Sequence, residues 1–141
     1  MLRDLTRDLG GERMRWREIR EMTVLWRSYR YLRANPGAML PRMRAYEARL
    51  SNLAVWHVPK DRVARIESQL RDGDVIGIST RGEGAYCCHV GLAFRDGQGT
   101  LRFMHASKNH GRVVVDRRLS SYLAVFKNHA GILIGRPVEV G

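Results

Sequence analysis

Cysteine is nearly missing from this sequence: of 141 residues only Cys87 and Cys88 carry a thiol, and they are adjacent. Neighbouring side chains on a strand point to opposite faces, which argues against a disulfide between them. A disulfide framework is excluded, and the pair says nothing about compartment. Separated C-x-x-C or H-x-x-x-H spacing is absent too. A zinc site from Cys87, His89, His105 and His110 therefore lacks the usual ligand pattern, and Asp72-Gly73-Asp74 offers too few acids for calcium. No metal and no cofactor are expected. Long apolar runs are missing, since nothing approaches the roughly 20 residues a membrane-spanning helix needs. The opening MLRDLTRDLGGERMRWRE alternates charges and has no apolar secretory segment, so a soluble, non-exported chain is expected.

Acidic residues are scarce: 14 Asp and Glu face 25 Lys and Arg, a net charge of +11. All the cationic residues but Lys60, Lys108 and Lys127 are arginine. Such an excess favours polyanions, whether nucleic acid, lipid headgroups or acidic cell-wall polymer. An arginine-rich composition also follows from a GC-rich genome. The sequence carries no helix-turn-helix spacing, zinc-finger ligands or RNA-recognition aromatic motif, so nucleic acid is the less favoured partner.

What is present falls into two parts. Arg13 to Asn35 reads as a helix, with Met14, Ile19, Met22, Leu25, Trp26, Tyr29 and Leu32 at three- and four-residue steps. Asn35-Pro36-Gly37 is expected to end it. A shorter helix is expected from Pro41 to Leu50. After a loop at Trp56-His57-Val58-Pro59, a third runs from Lys60 to Leu70. Beyond the Asp72-Gly73-Asp74 turn the pattern becomes strand-like, over 74–79, 86–94, 101–105, 112–115 and 131–136. One short helix, 119–127, is expected to start at Ser120-Ser121. Helices followed by an antiparallel meander is an α+β pattern, read as a single domain 1–141: a helical segment 13–70, then a sheet of about five strands over 71–137 packed on those helices.

The chemistry lies in the sheet half. On the strand around His89, the two-residue period puts Cys88, Val90, Leu92 and Phe94 on an apolar face suited to the core. Cys87, His89, Gly91 and Ala93 share the other face, small except for the imidazole. His105, on the next strand, falls on a face with Phe103 and Leu101. An imidazole of near-neutral pKa can take a proton from a thiol, and a second polar group on its far nitrogen fixes the tautomer. His89 is the candidate base and His105 the candidate orienter. Cys87 is a poor nucleophile for them, because i and i+2 side chains stand about 7 Å apart on a strand. A mid-strand thiol also lacks a helix N-terminus to lower its pKa. Gly82-Glu83-Gly84 reads as a flexible loop entering the His89 strand.

Several short motifs together resemble a known family. Leu70-Arg71-Asp72-Gly73-Asp74-Val75-Ile76, His89-Val90-Gly91-Leu92-Ala93, His105-Ala106-Ser107 and Gly111-Arg112-Val113-Val114-Val115 follow one another in order. Leu119 with Tyr122-Leu123, and Gly131-Ile132-Leu133-Ile134-Gly135-Arg136, complete the series. Their order and spacing, over about residues 30 to 137, resemble the C-terminal half of the N-acetylmuramoyl-L-alanine amidase-like family. That family, domain of unknown function 1460, belongs to the NlpC-type papain-like cell-wall hydrolases. The resemblance implies a Cys-His-His triad that cleaves the N-acetylmuramoyl–L-alanine bond of muropeptides, with His89 as base and His105 as third member. It also implies a periplasmic or cell-envelope setting. Ser107, Gly84 and Tyr86 are the candidate substrate-binding residues.

The sequence departs from the family at the nucleophile. The family's cysteine stands at a helix N-terminus upstream of both histidines, and no cysteine precedes Cys87 here. The expectation is a truncated or cysteine-less relative whose sheet lacks the cysteine-bearing helix. The alternatives are an inactive muropeptide-binding module or a basic nucleic-acid-associated protein. The sheet face bearing His89 would then need cover from the 13–35 segment or from a second copy, giving self-association.

Overall fold

A computed structural model describes residues 1–139; positions 140–141, the end of the expected single domain, lie outside the described residues. The strands in chain order are β1 (Leu2–Asp4), β2 (Glu12–Arg13), β3 (Trp56–Pro59), β4 (Val75–Thr80), β5 (Cys87–Arg95), β6 (Leu101–Ser107), β7 (Arg112–Arg118) and β8 (His129–Pro137). The α-helices are α1 (Glu21–Val24), α2 (Arg30–Ala34), α3 (Pro36–Ser51), α4 (Lys60–Ile66) and α5 (Leu119–Val125). The chain divides into two compact units. One holds Met1–Arg13, Trp56–Arg81 and the chain from Cys87 onward; the other holds Met14–Val55 and Gly82–Tyr86.

The first unit is α+β. Its antiparallel sheet has eight strands in the order β2-β3-β8-β4-β5-β6-β7, with β1 also pairing β8. The expected sheet of five was too small because β1, β2 and β3 are short and carry no alternating pattern. The supposed loop 56–59 is a strand because Val58 and Pro59 register against Ile132 and Gly131. Nor is the sheet a simple meander: β8 returns between β3 and β4. One face carries α4 and α5, and the core fills the space between. Val63, Leu119 and Leu123 from the helical side meet Ile76, Ile78, Phe103 and Ile132 from the sheet, all fully buried. Burying each such side chain contributes about 1.5–3 kcal/mol.

The expected faces of β5 are reversed. Gly91 and Ala93 lie on the core side with His89, while Val90 is 58% and Phe94 36% exposed. The cause is Phe103, whose ring fills the space a side chain at Gly91 would need: a Cβ there would sit 2.6 Å from a ring carbon. The small residues beside His89 are small because another strand's aromatic occupies their volume. The apolar face left open is consequently the opposite one, where Val113 and Val115 are also exposed, and the His89 face is covered within its own unit.

Below the sheet, α5 does not start on its serines. The Glu67 carboxylate, from a 3-10 turn over Glu67–Gln69, accepts from the Ser120 N–H at 2.8 Å and from Arg118 Nε at 2.7 Å. A second buried carboxylate, Asp74, pairs with Arg136 in a two-pronged contact at 2.7 and 2.8 Å, to which the Arg71 N–H adds a third bond at 2.8 Å.

The second unit is helical, but not as expected. In place of one helix over 13–35 there are α1, a 3-10 turn over Trp26–Ser28, and α2, separated by an extended Tyr29. The free N–H groups that open α1 are held by a tertiary partner. Glu47 is buried, and Oε1 accepts from Met22 N at 2.8 Å and Thr23 N at 3.1 Å. Its other oxygen takes the Thr23 hydroxyl. Asn35-Pro36-Gly37 ends α2, as expected, and also starts the next helix. Asn35 is the N-cap of α3, accepting from Ala38 N at 3.3 Å, and Pro36 occupies the first turn, where its missing N–H costs nothing.

Candidate functional site

The site starts from the pairing of β5 and β6. Leu92 faces Met104 and Ala93 faces Phe103, so the inward residues of both strands project to one side and two rings meet at the end of the pair. His89 Nε2 lies 2.9 Å from His105 Nδ1, and the rings are nearly perpendicular at 86°. His105, 7% exposed, is held from below by Phe103, stacked at 4.9 Å and 17°. Tyr122 of α5 packs on both Phe103 and His105, with centroids 4.7 and 5.2 Å away.

The sequence did not single out the group behind His105. Its Nε2 lies 3.2 Å from Asp116 Oδ2 on β7, giving a continuous chain Asp116–His105–His89. A carboxylate only accepts, so His105 Nε2 carries a proton. With His105 neutral, its Nδ1 is then an acceptor, and His89 Nε2 must donate to it. His89 is left with a lone pair on Nδ1. Asp116 thus sets the tautomers of two rings in series, an assignment made from the hydrogen-bond network. The electrostatics agree: burial, then the neighbouring His105, hold the His89 pKa below the ordinary histidine value. Burial pushes the Asp116 carboxyl up, but the Arg117 N–H and His105 outweigh it and the net shift is downward. Tyr122 is raised by burial, then by the charges of Asp116 and Cys88, and stays a neutral phenol.

These groups line a cavity of about 240 Å³ that also takes in Cys88, Ser107, Lys108, His110 and His129. Ser107 is nearly buried, and its hydroxyl shares a hydrogen with His110 Nδ1 at 2.8 Å. Gly84 and Tyr86 belong to the helical unit. There Gly84 takes φ +84°, and Arg17 lies 5.5 Å over the Tyr86 ring while bonding the carbonyls of Gly82 and Ala85. Cys87 turns away from His89: its sulfur lies against Gly77 on the outer face, 3.2 Å from where a Cβ would stand. Burial, then the neighbouring Cys88, push its thiol up to about 11. No cluster of three or more metal-ligating side chains with metal-site geometry occurs among the described residues, so His89, His105 and His110 do not converge as ligands. The fifth imidazole, His57, hydrogen-bonds at 2.8 Å to a Ser79 hydroxyl sealed from solvent and joins two strands.

A family model described as N-acetylmuramoyl-L-alanine amidase-like matches residues 1–132, and the chain belongs to that family. Among solved structures, an N-acetylmuramoyl-L-alanine amidase from Bacteroides uniformis is similar at 30% identity and a TM-score of 0.81, over 96% of this chain and 56% of its own. A Bacteroides fragilis protein described as a xylanase matches at 28% identity and a TM-score of 0.81, over 96% of this chain and 59% of its own. A Legionella pneumophila protein assigned to domain of unknown function 1460 shares the fold at 19% identity and a TM-score of 0.56, with 96% and 56% covered. The chain thus spans 56–59% of the length of these structures. A search of curated proteins finds no match. No helix of the described residues is long and apolar enough to cross a membrane.

Proposed function

We propose that this chain carries the base and the orienting groups of a papain-like, NlpC-type amidase site that takes the N-acetylmuramoyl–L-alanine bond of muropeptides. The observation that carries the reading is the unbroken chain Asp116–His105–His89 in a cavity of a family whose solved relatives include an amidase. In this reading a thiol presented to His89 Nδ1 gives up its proton and its sulfur attacks the amide carbonyl. The carbon–nitrogen bond breaks, and His89 returns the proton to the leaving amine. Water then cleaves the thioester. His105 stabilises the imidazolium through its hydrogen bond, and Asp116 orients His105. The half-buried Cys87 thiol, on the opposite sheet face, takes no part. Lys108 and His110 at the rim suit the carboxylates of a peptide stem.

The chain alone is expected to bind anhydromuropeptide in the histidine cavity. Calorimetric titration with purified anhydro-N-acetylmuramoyl peptide, together with mass detection of released L-alanyl peptide, tests this. Binding that weakens at least about tenfold in His89→Ala, the loss of one buried polar contact, supports it. Peptide release abolished by the same change supports it further. Absence of binding, or release that persists in His89→Ala, overturns it.

A further inference from the structure

The strand period that places His89 breaks one residue earlier. Ile78 pairs with His89 but Ser79 pairs with Cys87, so Cys88 is the extra residue of a bulge. A bulge re-aims side chains that strict alternation would send elsewhere. Cys87 goes to the outer face, and Cys88, exposed, lines the histidine cavity beside His89 and His105. Its sulfur lies 3.6 Å from the Ile78 carbonyl. Two adjacent cysteines thus differ sharply: one thiol is half-buried on the outer face and held protonated, the other opens on a cavity.

A second bulge acts on the same cavity from the other side of β4. Ser79 pairs with Gly131 and Thr80 with His129, leaving Ala130 as the extra residue. His129 is only 8% exposed, lines the cavity, and its buried Nδ1 has no hydrogen-bond partner. Burial, then Lys60 and His89, lower its pKa below the ordinary histidine value, and with the ring proton on Nε2 this nitrogen accepts a bond. An unpaired buried polar atom is unfavourable, and an N–H donor delivered into the cavity relieves it.

We propose that Cys88 is a thiol-modification site: a small peptide disulfide exchanges onto its sulfur, and the adduct fills the histidine cavity with an amide N–H on His129. In the exchange the Cys88 thiolate attacks one sulfur of the disulfide. A new sulfur–sulfur bond forms, the old one breaks, and the departing thiolate takes up the proton that Cys88 released. Lys108 at the rim meets the peptide's carboxylate. The inference rests on the thiol and the cavity, and stands whether or not the amidase reading does.

The test uses the full reduced chain with oxidised glutathione as probe, read by intact mass and by nitrogen-15 spectra of the imidazoles. Cys87→Ser is expected to take one adduct at the parent rate, and Cys88→Ser none while folded. Formation of the adduct should shift the His89 and His129 signals. His129→Phe, which keeps the aromatic packing, should lower adduct formation at equilibrium about tenfold. Cys88→Ala serves in place of Cys88→Ser if the latter does not fold. Equal modification of the Cys88 variant and the parent, an adduct that leaves the imidazole signals unmoved, or an unchanged His129→Phe each overturns the proposal.

Discussion

Replacing Asp116 by Asn tests the wiring of the histidine pair without requiring any substrate. The carboxylate accepts from His105 Nε2 at 3.2 Å, and its side chain is about a quarter exposed. A hydrogen bond to a charged group is worth about 1.5–3 kcal/mol, and the length and partial exposure place this one at the lower end. Some 1.4 kcal/mol is a tenfold ratio. The Nε2–H form of His105 should therefore exceed its alternative by about ten to one in the parent protein. An amide at 116 can donate or accept, so Asp116→Asn should bring the two forms near parity. His89 should follow, because its Nε2 must donate when His105 Nδ1 accepts and accept when that nitrogen donates. Long-range nitrogen-15 correlation spectra distinguish the tautomers directly at neutral pH. Stability should change little, since the cavity side chains keep their packing. Coupled redistribution of both rings is the expected result; two unmoved tautomers would refute the series arrangement.

Two further outcomes follow from the same geometry. Gly91→Ala places a methyl 2.5 Å from the Met104 carbonyl and 2.6 Å from the Phe103 ring. It should destabilise the chain by about 1–3 kcal/mol in urea melts and shift the His105 signals through its stacked neighbour. The lowered pKa values of His89 and His129 have a definite sign in stability. Below the ordinary histidine value of about 6.5 the unfolded chain binds more protons than the native one, so stability falls with pH until the native rings titrate. The full contribution is present above that value. Denaturant midpoints measured from pH 7.5 downward should decline over this window in the parent and less steeply in His129→Phe; identical slopes would count against it.

The sheet half was legible because its signals are local. Gly-bearing turns separate β4, β5, β6 and β7, and the apolar runs of β4 to β8 are long enough to mark an extended segment wherever it lies in space. His89 and His105 could be singled out because a regular period relates residues on neighbouring strands. The helical half was harder. The three- and four-residue recurrence over 13–35 is real, yet a buried Glu47, distant in sequence, bonds the N–H groups that open α1 and lets the segment break into turns. Asn-Pro-Gly reads as a stop, and it is one for α2, but Asn35 also caps the start of α3.

Three bulges explain most of what the site concealed. Cys88 and the His129–Ala130 pair lie where β4's neighbours slip register. Asp116 lies where β7 slips against β6, between the Met104–Val115 and Arg102–Arg118 pairs. Alternation correctly assigns faces until an extra residue is inserted, and nothing local marks the insertion.

By itself the sequence determined the order of β4 to β8 with α5 between β7 and β8, the two histidines at matching places on paired strands, and the motifs shared with the amidase-like family. These depend on local periodicity and composition. Tertiary structure decided which face of β5 is the core, through a Phe103 ring packed on Gly91. It also decided which thiol meets the cavity, and that Asp116 stands behind His105. Each of those is settled by a strand that arrives from elsewhere in the chain, and register between strands is a property of the assembled sheet.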